Sequence, residues 1–422
     1  MSSQCGRIAG PCCREVGEVS VEHTENHEQE SEKTISLLRG KIVLPDGVME
    51  DGVLVWTEGK ILYAGAPEGL TEKIRREALS VPVSKHGVIV PGFIDIHVHG
   101  GNGEDFMDAS KEVLDKITSF HSTQGTTAML ATSMTAPKDS LDRVLAEVHS
   151  YRSGDMPYAQ LEGVHLEGPF FSPKWPGAQN PDHIVLPNVS WLEAWEKQYP
   201  GLIRQVTLAP EREGALEVIS WLREQRITVA LGHTDATYEE VERAVEAGLH
   251  HAVHTFNAMT PLHHRNPGAA GAVLSDPRIS AEVIADGIHV HPAAISLLAQ
   301  LKQATDQIVL ITDAMSAAGL DDGEYKIGDL PVIVKEGVAR LKDGGALAGS
   351  TLTMIRGFRY LVQEVGMSLN AASRAASLTP ARLLGIDHRT GSFAKGKQAD
   401  VVLLNGDLKI EEVWVKGRRI GG

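Results

Sequence analysis

Eight short apolar runs recur through the middle of the chain, and most of the segments between them have the spacing of amphipathic helices. The runs are residues 88–93, 126–131, 161–166, 203–208, 227–231, 251–255, 279–284 and 308–311. Segment 141–148 repeats aliphatic residues at i, i+3, i+4 and i+7, and another segment has the capping-box pattern Thr237-x-x-Glu240. Apolar strands that alternate with such helices indicate a parallel sheet covered on both faces. Eight units predict a (β/α)8 TIM-like barrel, with a doubly wound open sheet as the alternative.

Strand-like segments also flank this alternating region on both sides. Residues 35–38, 41–44, 52–56 and 60–63 are short apolar stretches separated by Gly and Asp-Gly turn signals, and residues 399–404 and 412–415 have the same character. We therefore expect a small β-sandwich domain formed by residues 34–90 and 386–422. The barrel would then occupy residues 91–385.

The first 33 residues have a different composition from the rest. They contain seven glutamates and three basic residues and lack the apolar segment of a signal peptide. A disordered acidic tail is expected, with a docking segment as the alternative, and the location is expected to be cytoplasmic. All three cysteines lie here, at Cys5, Cys12 and Cys13, so neither a disulfide framework nor a C-x-x-C metal motif is expected in the body of the chain.

The charge and hydropathy of the whole chain exclude two further classes of protein. A formal net charge of −15 over 422 residues argues against nucleic-acid binding, which needs a basic face. No apolar run approaches the ~18 residues of a membrane span. We therefore expect no nucleic-acid and no membrane partner.

Ionisable side chains follow the apolar runs at the positions where a barrel carries its chemistry, the carboxyl ends of the strands. The residues concerned are His97, His99, Glu167, His233, His254 and Asp313. Side chains two apart on a strand share a face, so His97 and His99 can reach one ion. Imidazole and carboxylate together suit a borderline divalent cation such as Zn²⁺ or Fe²⁺.

Each of these residues taken singly has a simpler interpretation. Glu167 could be a capping or ion-paired carboxylate, and Asp313 could cap a helix. Their coincidence at several strand ends favours a metal site, because burying so many ionisable groups without a shared positive charge is very costly. Eight other histidines lack such neighbours and are expected on the surface or in loops: His23, His27, His86, His121, His183, His250, His251 and His291.

The motifs around these residues resemble a known family. Pro91-Gly92-Phe93-Ile94-Asp95-x-His97-x-His99 resembles the opening motif of the amidohydrolase superfamily, and the resemblance runs from about residue 35 to the C-terminus. Five further motifs resemble those of its N-acetylglucosamine-6-phosphate deacetylases: His165-Leu166-Glu167-Gly168-Pro169-Phe170, Leu231-Gly232-His233, His254-Thr255-Phe256-Asn257-Ala258-Met259, Ala285-Asp286-Gly287-x-His289 and Thr312-Asp313-Ala314.

This resemblance implies an enzyme of amino-sugar catabolism or cell-wall sugar recycling that uses one or two divalent metal ions. Glu167, His233 and His254 would bind the principal ion, and His97 with His99 would help to hold a second. Asp313 would act as general base and general acid in hydrolysis of the N-acetyl amide.

The resemblance also implies how a phosphosugar substrate is held. Asn257, the Ala258 backbone, Arg265 and His289 would contact it, and Arg265 would complete the neighbouring site of a homodimer. Family members with one metal commonly have a histidine where this chain has Gln179, and that histidine polarises the acetamide carbonyl. Here Gln179 or a second metal ion would take that role.

Two kinds of alternative remain at the level of sequence. A D-aminoacylase, a dihydroorotase or a deaminase would share the barrel and the His-x-His motif, although the elements around Glu167 and Asn257 favour the sugar deacetylase. A non-catalytic assembly protein on the same scaffold is the other alternative, but such proteins typically lose metal ligands.

Overall fold

A computed structural model describes residues 34–302 and 306–421. The predicted acidic tail, residues 1–33, lies outside the described residues. The strands are β1 (Ile35–Leu44), β2 (Gly47–Thr57), β3 (Lys60–Gly65), β4 (Leu79–Val81), β5 (Val88–Pro91), β6 (Phe93–Asp95), β7 (Gly100–Gly101), β8 (Glu104–Asp105), β9 (Thr126–Thr132), β10 (Gln160–Glu167), β11 (Ile203–Leu208), β12 (Thr228–Leu231), β13 (His251–Ala252), β14 (Ser280–Ile284), β15 (Ile308–Ile311), β16 (Gly323–Ile327), β17 (Leu330–Lys335), β18 (Val338–Leu341), β19 (Val401–Leu404), β20 (Ile410–Val415) and β21 (Arg418–Arg419). The helices are α1 (Glu72–Glu77), α2 (Lys111–Thr123), α3 (Lys138–Arg152), α4 (Val189–Gln198), α5 (Ala215–Glu224), α6 (Tyr238–Ala247), α7 (Gly268–Ser275), α8 (Pro292–Lys302), α9 (Met354–Gln363), α10 (Leu369–Ser373) and α11 (Thr379–Leu383).

Eight parallel strands form the central barrel. They are hydrogen-bonded in the order β6, β9, β10, β11, β12, β13, β14 and β15, which is also their order along the chain. Beyond β15, Thr312 Oγ1 donates a hydrogen bond of 2.6 Å to Asp95 Oδ2 at the end of β6, which links the last strand to the first. The order shows no reversal of direction, so the predicted (β/α)8 barrel is confirmed and the doubly wound alternative is wrong.

The connecting helices bury the faces that the sequence spacing indicates. In α3, the side chains of Leu141, Val144, Leu145 and Val148 are buried. The capping box at the start of α6 is present, since Glu240 N donates to Thr237 Oγ1 and Thr237 N donates to Glu240 Oε2. Such helices cover the outer face of the barrel and leave its strand ends as the surface where side chains can meet.

The first apolar run, residues 88–93, is predicted as one strand but is divided between two sheets. Strand β5 pairs with β1 and β19 outside the barrel, whereas β6 pairs with β9 inside it. The division falls at Gly92, where an added Cβ would lie 2.2 Å from Thr127 Oγ1. The chain can therefore cross from one sheet to the other only with a residue that has no side chain at this position.

Strands from both ends of the described chain form a second sheet. Its order is β21, β20, β19, β5, β1, β2 and β3, with β4 also paired to β1. A separate apolar core lies against it, and its members come from both ends: Leu38, Ile42, Leu54, Trp56, Ile61, Ile89, Phe393, Ala399, Val401, Leu403 and Trp414. The predicted β domain built from both ends of the chain is thus confirmed.

One element was not predicted. Strands β16, β17 and β18 form an antiparallel sheet that follows the last barrel strand. Its inner face contributes Ile327, Val332 and Val334 to an apolar cluster that also contains Met134. Among the helices of residues 34–302 and 306–421, none is both long and apolar enough to cross a membrane.

The contact between the two ends of the chain can be tested at Trp414. Its ring packs edge-on against that of Trp56 with centroids 5.5 Å apart, and both side chains are buried. We expect Trp414→Ala to lower the free energy of unfolding by about 3–5 kcal/mol, because a large side chain is removed from a packed core. Urea denaturation followed by circular dichroism measures this loss. Leu79→Ala, at an exposed position of the same sheet, should change the free energy by less than about 0.5 kcal/mol, and equal losses would contradict the assignment.

Candidate active site

The predicted metal ligands and the predicted catalytic residue Asp313 lie together at the carboxyl ends of the barrel strands. Glu167 is the last residue of β10. Four others lie two residues beyond the ends of β6, β12, β13 and β15: His97, His233, His254 and Asp313. Because neighbouring strands are parallel, these positions meet at one end of the barrel.

Three of these residues have backbone conformations that residues other than glycine rarely adopt. The φ angles of His233, His254 and Asp313 are 47°, 28° and 50°. Non-glycine residues in this left-handed region are uncommon and are concentrated at functional sites. The turns after β12, β13 and β15 therefore have a strained backbone, and each directs a side chain into the mouth of the barrel.

Glu167 is the centre of the cluster. Its Oε1 lies 3.1 Å from His97 Nε2, 3.1 Å from His254 Nε2 and 3.4 Å from His233 Nε2. Its Oε2 lies 3.3 Å from His99 Nε2. One carboxylate is thus surrounded by ring nitrogens of all four predicted histidine ligands.

The donor atoms of this cluster fit a divalent cation. His233 Nε2 and His254 Nε2 face each other at 3.2 Å, and the buried His97 Nε2 has no hydrogen-bond partner among the described residues. Two groups of three residues can each hold an ion: His97, Glu167 and His254, and His97, His99 and Asp313. Imidazole nitrogens that converge on a carboxylate in a buried position are the ligands that a borderline divalent ion prefers.

The protonation of the carboxylates also suits a cation. Burial raises the pKa of Glu167, but the charge of His97 and the hydrogen bonds of His233 and His254 outweigh it and hold the pKa well below its usual value. Burial likewise raises the pKa of Asp313, and the hydrogen bond with His99 reverses the shift and leaves the pKa lowered. Both groups are therefore carboxylate anions at neutral pH.

A cavity of about 320 Å³ opens above this cluster. Nine of the eleven predicted site residues line it: His99, Glu167, Gln179, His233, His254, Asn257, Ala258, His289 and Asp313. His97 lies beneath it, fully buried, and Arg265 lies outside it on an exposed loop, where its Nη1 is 2.7 Å from His264 Nε2. The structure therefore brings together all of the predicted residues except Arg265.

Gln179 is held in a defined orientation at the cavity wall. Its Nε2 donates a hydrogen bond of 2.5 Å to Glu167 Oε2, and its Oε1 accepts one of 2.7 Å from Thr135 N. This pair of bonds assigns the amide orientation and directs the NH₂ group to the carboxylate.

Other residues that line the cavity carry polar groups that can orient a substrate. His289 Nδ1 lies 2.7 Å from Asp286 Oδ2, which fixes the direction of its ring. Asn257 Nδ2 donates a hydrogen bond of 3.2 Å to the carbonyl oxygen of His254. Lys174 also lines the cavity and forms an ion pair of 2.5 Å with Asp235.

A second set of polar groups, which the sequence patterns do not predict, lies in the barrel below the cluster. Glu282 and His251 are fully buried and joined by a hydrogen bond of 2.9 Å, and His165 is buried beside His97. The expected placement of His121 and His251 on the surface or in loops is wrong, because both are fully buried. The available signal was Glu282 itself, a charged residue inside the apolar run 279–284.

Comparisons with known proteins agree with this geometry. A family model described as the amidohydrolase family matches residues 88–420. An N-acetylglucosamine-6-phosphate deacetylase of Vibrio furnissii is 41% identical over 82% of this chain and 86% of its own length. An N-acetylgalactosamine-6-phosphate deacetylase of Escherichia coli O157:H7 is also 41% identical, over 83% of this chain and 92% of its own.

A solved structure shows the same architecture. It is a mutant N-acetyl-D-glucosamine-6-phosphate deacetylase of Mycobacterium smegmatis in complex with N-acetyl-D-glucosamine-6-phosphate. It superposes with a TM-score of 0.84 at 33% identity and covers 92% of this chain and all of its own.

Proposed function

The chain belongs to the amidohydrolase family, and we propose on that premise that it hydrolyses the N-acetyl amide of N-acetylglucosamine 6-phosphate. The products are acetate and glucosamine 6-phosphate, which places the reaction in amino-sugar catabolism. The observation that carries the proposal is the convergence of four histidines on Glu167 at the base of a cavity that Asp313 also lines. Relatives at 41% identity that act on amino-sugar phosphates support the substrate class.

The metal centre that we propose uses the residues of this cluster. Glu167, His233 and His254 would hold the principal ion, Zn²⁺ or Fe²⁺, and His97 with His99 would help to hold a second. A divalent ion at such a site polarises the amide carbonyl and lowers the pKa of a water molecule from ~16 to ~7.

Asp313 moves the proton in the proposed mechanism. Its carboxylate lines the cavity, and its Oδ1 lies 3.2 Å from His99 Nε2. As an anion it accepts the proton of the attacking water while the new C–O bond forms. It then delivers that proton to the amide nitrogen as the C–N bond breaks, so that the amine leaves neutral and acetic acid remains. The acid then releases its proton to the amine or to solvent and becomes acetate.

The other polar groups orient the substrate. Gln179 lies beside Glu167 and can present its amide N–H to the oxyanion that develops on the acetyl carbon. Asn257, the Ala258 backbone and His289, which line the same cavity, would contact the sugar phosphate. Holding the substrate in place in this way reduces the entropy that the reaction must otherwise lose.

The phosphate requires a positive charge that the overall acidic chain must supply locally. Arg265 is outside the cavity of its own subunit, on an exposed loop. We therefore propose a homodimer in which Arg265 of one subunit completes the site of the other. A guanidinium suits this role because it binds phosphate through two parallel hydrogen bonds.

An acetate-release assay tests the proposed substrate. We expect the highest kcat/KM with N-acetylglucosamine 6-phosphate, and at least ~10-fold lower values with unphosphorylated N-acetylglucosamine, because buried phosphate contacts are lost. N-acetylgalactosamine 6-phosphate is the second arm of the assay, since one 41% identical relative acts on that epimer. A higher kcat/KM for the galacto epimer would overturn the proposed sugar while leaving the deacetylase reaction intact.

Asp313→Asn tests the proton-transfer role. We expect kcat to fall by ~10²-fold or more, because the amide cannot accept the proton, while bound metal measured by mass spectrometry stays unchanged. Asp51→Asn, an exposed carboxylate paired with Arg39 in the terminal sheet, is the control and should keep full activity. Near-normal turnover of Asp313→Asn would contradict the role.

Arg265→Ala tests the shared site. We expect KM for the phosphorylated substrate to rise about tenfold or more, with no change for the unphosphorylated sugar. If Lys174, which lines the cavity of its own subunit, binds the phosphate instead, Lys174→Ala will raise KM and Arg265→Ala will not.

A mixing experiment separates the two subunits' contributions. When equal amounts of Arg265→Ala and Asp313→Asn subunits pair at random, about half of the dimers are mixed, and each mixed dimer has one complete site. About a quarter of all sites should therefore be active. No gain in activity on mixing would contradict a site shared between subunits.

A further inference from the structure

Glu282 lies in the middle of β14 and is fully buried beneath the metal-ligand cluster. It does not line the cavity and takes no part in the mechanism above. A buried carboxylate without partners is strongly unfavourable, and an apolar side chain of similar size would be easier to accommodate. The negative charge of Glu282 is compensated by the hydrogen bonds that its carboxylate accepts.

Four donors share the two carboxylate oxygens of Glu282. Oε2 lies 2.8 Å from His97 Nδ1 and accepts from the backbone N–H of His254 at 3.2 Å. Oε1 lies 2.9 Å from His251 Nε2 and accepts from Gln205 Nε2 at 3.1 Å. One oxygen thus serves two candidate metal ligands, and the other serves the barrel interior.

The contact with His97 determines which ring nitrogen is available to a metal. Because a carboxylate only accepts hydrogen bonds, Nδ1 must carry a proton, which leaves Nε2 as the ring nitrogen that can bind a metal ion. That nitrogen points at the cluster, 3.1 Å from Glu167 Oε1, and has no hydrogen-bond partner among the described residues. A carboxylate that fixes a ligating histidine in this way typically raises metal affinity 10–100-fold.

The contact with His254 acts on the backbone instead. His254 has a φ of 28°, an unfavourable conformation for a residue with a side chain. The hydrogen bond from its N–H to Glu282 Oε2 holds this turn in place. The same oxygen therefore orients one ligand through its ring and another through its main chain.

We propose that Glu282 is a positioning residue that fixes the directions of His97 and His254 and so sets the affinity of the metal site. This inference rests on the metal site of the proposed function. Its chain of contacts continues away from the site, since His251 Nδ1 lies 2.7 Å from Ser280 Oγ on the same strand as Glu282. The carboxylate is held from one side by the barrel and orients the ligands on the other.

Zn²⁺ affinity of the full-length protein tests the proposal, measured by competition with a chromogenic chelator. Glu282→Met has a similar volume but no acceptor, so His97 and His254 lose their anchor. We expect Zn²⁺ affinity to fall 10–100-fold. KM for the sugar phosphate should stay unchanged in the Zn²⁺-loaded variant, because Glu282 does not line the cavity, and excess Zn²⁺ should restore kcat.

Gln205→Met is the matched control. It removes a donor to the other oxygen of the same carboxylate, at a position that is equally buried, and leaves the contacts to His97 and His254 in place. We expect its Zn²⁺ affinity to stay within about threefold of wild type. Equal losses in Gln205→Met and Glu282→Met would overturn the proposal, because general loosening of the barrel interior would then explain both.

Glu282→Gln keeps the test decisive if Glu282→Met does not fold. Its amide oxygen can still accept from His97 and His254 if the Gln205 amide turns and offers Oε1, which has no partner among the described residues. If Glu282→Met folds, a Zn²⁺ affinity of Glu282→Gln between those of wild type and Glu282→Met supports the proposal. If Glu282→Met does not fold, a Zn²⁺ affinity of Glu282→Gln below that of Gln205→Met supports it. Wild-type affinity in Glu282→Met, or loss of folding in both Glu282 variants, overturns it. Wild-type protein that binds no Zn²⁺ would instead contradict the proposed metal site itself.

Discussion

The Glu167 carboxylate is the group on which the arrangement of the site depends. It lies at the end of β10, and ring nitrogens of four histidines from three other strand ends approach its two oxygens within 3.4 Å. Such a concentration of polar atoms in a buried position is stable only if charge is balanced and every strand is held in register. The closed barrel supplies that register, and the link from Thr312 to Asp95 joins its first and last strands at the level of the site.

Most of the barrel could be predicted because its strands are buried on both faces and therefore stand out as apolar runs. Two features of the fold could not be predicted from the sequence. The run 88–93 is uniformly apolar, and only the crossing at Gly92 divides it between two sheets, which periodicity does not reveal. The sheet of β16 to β18 has alternating buried and exposed residues and covers only one apolar cluster, so it lacks the signal of the barrel strands.

The candidate site shows the same division between what a pattern can predict and what it cannot. Position relative to a strand end predicted which residues meet, because the carboxyl ends of parallel strands share one rim. It gave no information on Glu282 and His251, whose pairing depends on the register of β13 and β14. A single charged residue in an apolar run indicates that some partner exists, but only the neighbouring strand determines which one.

Substrate selection depends on the parts of the molecule that the sequence predicts least well. In the proposed reaction the Glu167 cluster acts on the amide at carbon 2 of the sugar, whereas the glucose and galactose forms differ only at carbon 4. Strand-end residues that contact the amide therefore cannot distinguish the two epimers. That distinction would belong to the remaining walls of the cavity, which include Asn257, His289 and the added sheet through Ile327. Relatives that are equally similar to this chain and act on different epimers are the expected result when one catalytic centre is combined with variable loops.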